Sequence, residues 1–528
     1  MAQVLLPSCG ARGSEQSTAG SHGLRRGCFH RAVPVDRSCI FRRLLLCSHI
    51  SILGLGTLLY FLRVESLMNI ALQPGVEQLK LLRNKDISPV ELAEEHIRRI
   101  ERLNPALNAI VDFDAEKVRS QARKVHTGKL AGLPITIKSS ISVAGRLCEL
   151  GSVLRRGDVA ERDAVAVARL RAEGAIILGT TNCPEFLMAY ETDNLLNGRT
   201  NNPWDLDRTP GGSSGGEAAA IAAGLSAAGL GSDSGGSVRL PAHFSGICAL
   251  KPTAERISSI GHVPPCLGPF TTLGAIGPMA RSIADVELLF RIASNPCSLD
   301  SGGTPVAYLP VTMPEAKRLR IGYFEDDGLV PVTSETRKAV CIAADVLRQQ
   351  GFDVREYRPP SLEAARELWD VFFVQCGAMF YWPEIAGRRG ELSPVFLDFL
   401  GEAETRTPLN AACLLDAWAQ MDLVRRRLLS EMEAFPILIT PVCSVPAFRH
   451  GERAWTIEGK TVDYLDAMRY TQWFNLLGAP AAVVPVGASD SGLPIGVQIA
   501  GRPFSDEAVL TVASAIESAF GYKAPPIA

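Results

Sequence analysis

The chain of 528 residues carries 13 cysteines, yet it has no C-x-x-C pair and no cysteine–histidine group at metal-ligand spacing. No structural zinc and no other metal is expected from such a pattern. Four cysteines fall in residues 1–67 and nine are scattered singly, which suits small buried hydrophobes in a reduced compartment, not a disulfide framework. A Walker A lysine pattern and a G-x-G-x-x-G fingerprint are also missing, so a nucleotide site lacks its diagnostic residues and no cofactor is expected. Net charge is only −2, which removes the electrostatic reason to expect nucleic acid as a partner. No internal repeat stands out, and no linker divides residues 68–528, which read as one large domain.

The near-neutral total conceals two different materials. Residues 1–67 hold eight Arg, no Lys and three acids, whereas the remainder holds 46 basic and 53 acidic residues. Residues 44–62, LLLCSHISILGLGTLLYFL, lack any Asp, Glu, Lys or Arg and are just long enough to cross a bilayer as a helix. Arg42 and Arg43 before the segment would leave the N-terminus cytoplasmic. Three other readings compete: a monotopic anchor, an organelle transit sequence, and translation from Met68 with a cytoplasmic product.

From Met68 onward helical and strand-like runs alternate. Ser88-Pro89-Val90-Glu91 forms a capping box with proline at the first helical position, and apolar Ala93, Ile97, Ile100 and Leu103 follow at helical spacing. LPITIK (133–138), AIILGTTN (175–182), RIGYF (320–324), AAVVPVG (481–487) and IGVQIAG (495–501) read as strands beside helical stretches. The last helix is expected to begin near Asp506. The fold class is therefore α/β, a central mixed sheet covered by helices on both faces.

Chemistry concentrates in GGSSGGEAAAIAAGLSAAGLGSDSGGSVRLPA, residues 211–242. Gly212 to Gly216 fits G-x-S-x-G around Ser214, but a nucleophile elbow needs a strand running into it, and NNPWDLDRTP supplies none. A Ser-His-Asp esterase would also need His243, His262 or His450, none of which has an evident catalytic setting. The glycines could simply allow tight turns, or cradle an anion at a helix N-terminus. A third reading draws on lysine, whose amine is a base when burial keeps it neutral. Lys138 ends an apolar strand and fits that role, although a lysine capping a strand at the surface is the commoner situation.

GLPITIK, TTNCPEF, NPWD, GGSSGGEAAA and GLGSDSGGSVRLPAHFSGICALKPT occur in this order, with Lys138 75 residues before Ser213 and Ser213 24 before Ser237. In this order and spacing the chain resembles the amidase signature family over nearly all of residues 70–520, least between 295 and 430. The resemblance implies a single catalytic domain over 68–528 and a Ser-Ser-Lys triad. Ser237 would be the nucleophile, Ser213 the bridging serine on a cis peptide, and Lys138 the base. Backbone N–H groups of Ser234, Gly235, Gly236 and Ser237 would form the oxyanion hole. Ser214, Asp233 and Arg239 would support the loop. Ser139 stands where relatives commonly have Asp, Ala249 is another departure, and Ala254-Glu255 replaces a Pro-Gly or similar pair.

The implied reaction is hydrolysis of a carboxylic amide to acid and amine or ammonia through an acyl-enzyme, by a chain expected to be a homodimer. Two branches of the family are open. One is the glutaminase subunit of the glutamyl-tRNA amidotransferase, working in a complex. The other comprises stand-alone amidases, including fatty-acid amide hydrolases with a membrane helix. Glu217 favours the second, and Leu187, Met188 and Tyr190 sit where such relatives line an acyl channel. The aromatic run Trp369, Phe372, Phe373, Phe380, Tyr381 and Trp382 reads first as ordinary helix core.

Overall fold

The computed structural model describes residues 70–124, 127–296 and 301–528. Helix α1 (Pro89–Leu107) starts where the capping box places it. Ser88 Oγ accepts the Glu91 N–H at 3.1 Å, and the Glu91 carboxylate accepts the Ser88 N–H at 2.8 Å. Strand β1 (Ile110–Phe113) follows, then β2 (Pro134–Lys138) and β3 (Ile176–Thr181). Helix α2 (Gly215–Ala222) precedes β4 (Ala228–Asp233), and α3 (Arg239–Ser245) precedes β5 (Cys248–Lys251) and β6 (Ala275–Ala280). Strands β7 (Arg320–Tyr323) and β8 (Asp353–Glu356) flank α4 (Ser334–Gln349). Helices α5 (Leu362–Asp370) and α6 (Cys376–Ile385) are joined by a π-helical turn, 371–375. Strand β9 (Ile437–Pro441), the hairpin β10 (Ala454–Ile457) and β11 (Lys460–Asp463), then β12 (Ala481–Ala488), β13 (Pro494–Gly501) and α7 (Asp506–Glu517) complete the order.

Eleven strands form one mixed sheet in the order β1-β3-β2-β4-β6-β5-β12-β13-β9-β7-β8. Strand β2 runs parallel to both β3 and β4, while β4–β6, β5–β12 and β12–β13 are antiparallel. Successive residues of a strand point to opposite faces, and here both faces are covered. On β12, Ala481 and Val483 enter one apolar cluster, and Ala482 and Val484 enter the other. The expected two-faced α/β architecture is thus present, and the central strands are buried throughout because neither face meets water. On β2, Ile135 and Ile137 join one cluster, which leaves Thr136 and Lys138 on the opposite face, toward α2.

Strand β4 carried no readable signal. AGLGSD is a buried strand (β4) despite two glycines and two polar residues, because side chains from α2 pack directly on its backbone. Helix α2 begins at Gly215, three residues before the alanine run. Glu255 adopts φ 63°, the left-handed conformation that suits glycine, which gives a physical reason for the glycine relatives favour there. No helix among the described residues is long and apolar enough to cross a membrane; segment 44–62 lies outside them.

The tightest contact in this frame generates a stability prediction. A Cβ on Gly229 of β4 would lie 1.9 Å from Glu217 Oε1 and 2.4 Å from the Thr136 carbonyl oxygen. Gly229→Ala is expected to cost at least about 1–3 kcal/mol by overpacking, read as a lowered denaturation midpoint.

Candidate active site

Two parallel neighbours, β2 and β4, end side by side, and the site forms at their carboxyl ends, the usual place for chemistry in an α/β sheet. Lys138 is the last residue of β2, and the Ser234–Ser237 loop leaves the end of β4. The Gly212–Ser213 peptide, which is cis, brings the start of α2 against both. Lys138 Nζ lies 2.6 Å from Ser213 Oγ, 3.2 Å from Ser232 Oγ and 3.5 Å from the Ser232 carbonyl. The lysine has no exposed surface. Burial lowers its pKa from 10.5 to about 8, because an ammonium loses more hydration than these neutral groups return.

The two serine loops are bonded to each other. Ser214 N–H donates to the Ser237 carbonyl at 3.1 Å, and Ser214 Oγ donates to the Ser232 carbonyl at 3.3 Å. Behind Lys138, Glu217 of α2 accepts Thr136 Oγ at 2.5 Å and Thr181 Oγ at 2.8 Å. Burial raises its pKa to about 8, opposed by those hydroxyls and by Lys138. Glu217 thereby fastens the helix that follows Ser213 to the strand that carries Lys138. Ser139 turns to Cys183, with Oγ and Sγ 3.2 Å apart.

Asp233 organises the loop after β4. It accepts the N–H groups of Gly236 at 2.8 Å and Val238 at 3.0 Å, and receives Arg239 Nη2 and Nε at 2.8 and 3.0 Å. Burial alone would raise the Asp233 carboxyl, but Arg239 outweighs it and holds the group well below the usual carboxylate range. Arg239 is itself satisfied by Gln498 Oε1 at 2.6 Å, Asn475 Oδ1 at 2.5 Å and the Thr471 carbonyl at 2.9 Å. Gly236 adopts φ 124°, and a Cβ there would meet Thr471 Oγ1 at 2.4 Å, so glycine is required.

Of the four N–H groups expected in an oxyanion hole, that of Gly236 is therefore occupied by Asp233. Those of Ser234, Gly235 and Ser237 have no hydrogen-bond partner among the described residues. The loop carbonyls point elsewhere: Trp369 Nε1 donates to Ser234 O at 3.0 Å, and Thr471 Oγ1 and Tyr190 Oη donate to Gly235 O at 2.6 and 3.2 Å. A planar trans peptide then turns the Gly235 N–H away from Trp369.

A cleft opens over these serines, lined by Ser213, Ser237 and His262 on the polar side and by Met188, Phe270 and Phe373, among others, on the apolar side. Leu187 also lines it, whereas Tyr190 bonds to the loop. The aromatic run divides. Phe373, Phe380 and Tyr381 face the cleft, Phe372 is core, and Trp382 is 59 % exposed. No Lys or Arg among the described residues lines the cleft. Of the three histidines considered from sequence, His243 is buried against the backbone of Val445 and Gly496, and only His262 reaches the cleft. Sequence reasoning passed over His262, Glu217 and Trp369 as site residues because each acquires its role from a distant partner. No group of side chains suited to a metal ion occurs among the described residues.

This fold and the sequence matched to it define an enzyme that hydrolyses amides. The chain belongs to the amidase signature family: the Amidase family profile matches residues 91–510. It is 35% identical over 468 residues to the A subunit of the glutamyl-tRNA(Gln) amidotransferase of Roseiflexus sp. (strain RS-1), spanning 82% of this chain and 93% of that one. "Indoleacetamide hydrolase" of Bradyrhizobium diazoefficiens is 32% identical, over 85% of this chain and 86% of that one. A solved structure of "Fatty acid amide hydrolase" superposes with a TM-score of 0.77 at 25% identity, covering 86% of each chain.

The buried ion pair behind the loop gives a test independent of activity. Arg239→Met leaves Asp233 charged and unpaired in a site with no exposure, and is expected to cost about 3–5 kcal/mol, seen as a fall in the unfolding midpoint.

Proposed function

We propose that the chain hydrolyses neutral amides with an apolar acyl group, through an acyl-enzyme on Ser237. The observation that carries this reading is the 2.6 Å contact between the fully buried Lys138 amine and Ser213 Oγ, in a cleft that Ser213 and Ser237 both line. Neutral Lys138 takes the Ser213 proton as Ser213 takes that of Ser237, and Ser237 Oγ bonds to the amide carbonyl carbon. The N–H groups of Ser234, Gly235 and Ser237 are the available donors for the oxygen that becomes negative. One such donor contributes about 3–4 kcal/mol where it has been measured. The C–N bond then breaks as the proton returns from Lys138 through Ser213 to the departing nitrogen, which leaves as amine or ammonia. Water attacks the ester by the same relay in reverse and releases the acid and Ser237.

The cleft's chemistry supports an apolar acyl group. Among the described residues its aromatic and aliphatic wall offers no cation for a carboxylate. Free glutamine would bring an α-carboxylate into this wall without a partner. A glutaminase role within a complex is the second reading, favoured by the identity to glutamyl-tRNA amidotransferase A subunits. It requires partner chains to complete recognition.

Ser237→Ala is expected to abolish both turnover and fluorophosphonate labelling; labelling that persists would place the nucleophile elsewhere. The acylation rate should rise with pH across a limb near pH 8, because protonated Lys138 cannot accept the proton below it, and Lys138→Ala should remove that limb along with most activity. An amide panel on the isolated chain, from short acyl to aryl and long alkyl, should favour neutral apolar acyl groups over glutamine. Ammonia release from glutamine only with added partner chains would establish the second reading instead.

A further inference from the structure

A neutral lysine is a base only along its single lone pair, so the direction of that lone pair matters as much as its pKa. The two N–H bonds of neutral Lys138 must point away from Ser213 for Ser213 to donate to it. Ser232 supplies both other acceptors, its carbonyl at 3.5 Å and its hydroxyl at 3.2 Å. The hydroxyl of Ser232 is ambiguous: it can accept from Lys138, or turn round and donate to the lone pair in competition with Ser213.

What lies beyond Ser232 resolves the ambiguity. Ser232 Oγ is 3.5 Å from Ser140 Oγ, and Ser140 Oγ is 3.5 Å from His262 Nε2. His262 Nδ1 is 2.7 Å from the Pro264 carbonyl, which can only accept, so the proton of the neutral ring sits on Nδ1 and Nε2 carries a lone pair. Burial keeps that imidazole neutral, with its pKa lowered to about 4. The position is built rather than incidental. Ile141 and His262 form an antiparallel bridge, and the Val263 N–H donates to the Ser140 carbonyl at 2.8 Å. Read outward from an Nε2 acceptor, the arrangement that satisfies every contact has Ser140 donating to His262, Ser232 donating to Ser140, and Lys138 donating to Ser232. The two 3.5 Å links are at the long end of hydrogen bonding, as catalytic contacts often are before substrate binds.

We propose that His262, through Ser140 and Ser232, is a positioning residue that directs the Lys138 lone pair at Ser213. The inference rests on the Lys138–Ser213–Ser237 relay proposed above. It adds a function for a histidine that takes no part in that relay.

The test is a cycle on the full chain, read by the rate of fluorophosphonate labelling of Ser237 and by kcat and KM on a neutral apolar amide, measured above pH 8 where Lys138 is neutral. His262→Leu and Ser140→Ala should each slow labelling and kcat about tenfold, the worth of one neutral hydrogen bond. The double variant should be no slower than either single one, since both break the same chain. Ser140 does not line the cleft, so its variant should leave KM unchanged. His262→Gln, whose amide oxygen can accept from Ser140, should recover to within about threefold of the native rate. Losses that multiply to about a hundredfold in the double variant would overturn the proposal, because they mark independent roles. So would native rates in both single variants, or His262→Gln as slow as His262→Leu. Failure of the underlying relay shows differently: full labelling of Ser237→Ala, or native hydrolysis by Lys138→Ala.

Discussion

The contact between the Lys138 amine and the Ser213 hydroxyl sets what the rest of the molecule must accomplish. A lysine with no exposed surface resists protonation, and that resistance is the property a base near neutral pH needs. Keeping it there requires neutral acceptors for its N–H groups and an opening toward a single hydroxyl. Strand β4 supplies the first through Ser232, and the start of α2 supplies the second through Ser213. The Glu217 carboxylate, bonded to threonines of β2 and β3, holds those elements in register.

On the proposed mechanism, the loop after β4 answers a different constraint. Its backbone must offer N–H groups to an oxygen that becomes negative only during reaction, so those groups have to stay unpartnered while the carbonyls beside them are satisfied. Asp233, itself paired with Arg239, pins the loop through Gly236 and Val238, and Trp369, Tyr190 and Thr471 hold its carbonyls from the other side. This bracing is bought with a buried ion pair, and it comes from three separate parts of the chain. The apolar cleft wall lowers the local dielectric, which strengthens each of those dipoles.

Much of the frame is legible in one dimension. The capping box before α1 is a local hydrogen-bond pattern, and β2, β3, β12 and β13 are apolar runs of strand length, so each is visible without its neighbours. Strand β4 is not, because AGLGSD owes its extended form to the strands beside it and to the close approach of Glu217 and Ser214. The aromatic run over 369–382 likewise reads as ordinary helix core. In the structure a π-helical turn interrupts it at 371–375, and Phe373, Phe380 and Tyr381 line the cleft.

The sequence by itself determined which side chains are available for reaction: a lysine ending an apolar strand, and two serines in glycine-rich loops at fixed separations. Tertiary structure alone decided how they are disposed. It buried Lys138, committed the Gly236 N–H to Asp233, set Tyr190 against the loop, and placed His262 at the end of a line of hydroxyls leading to Lys138. The reason is physical: proton affinity, lone-pair direction and the availability of an N–H depend on groups within about 4 Å. Here those groups come from positions up to 259 residues apart in the chain.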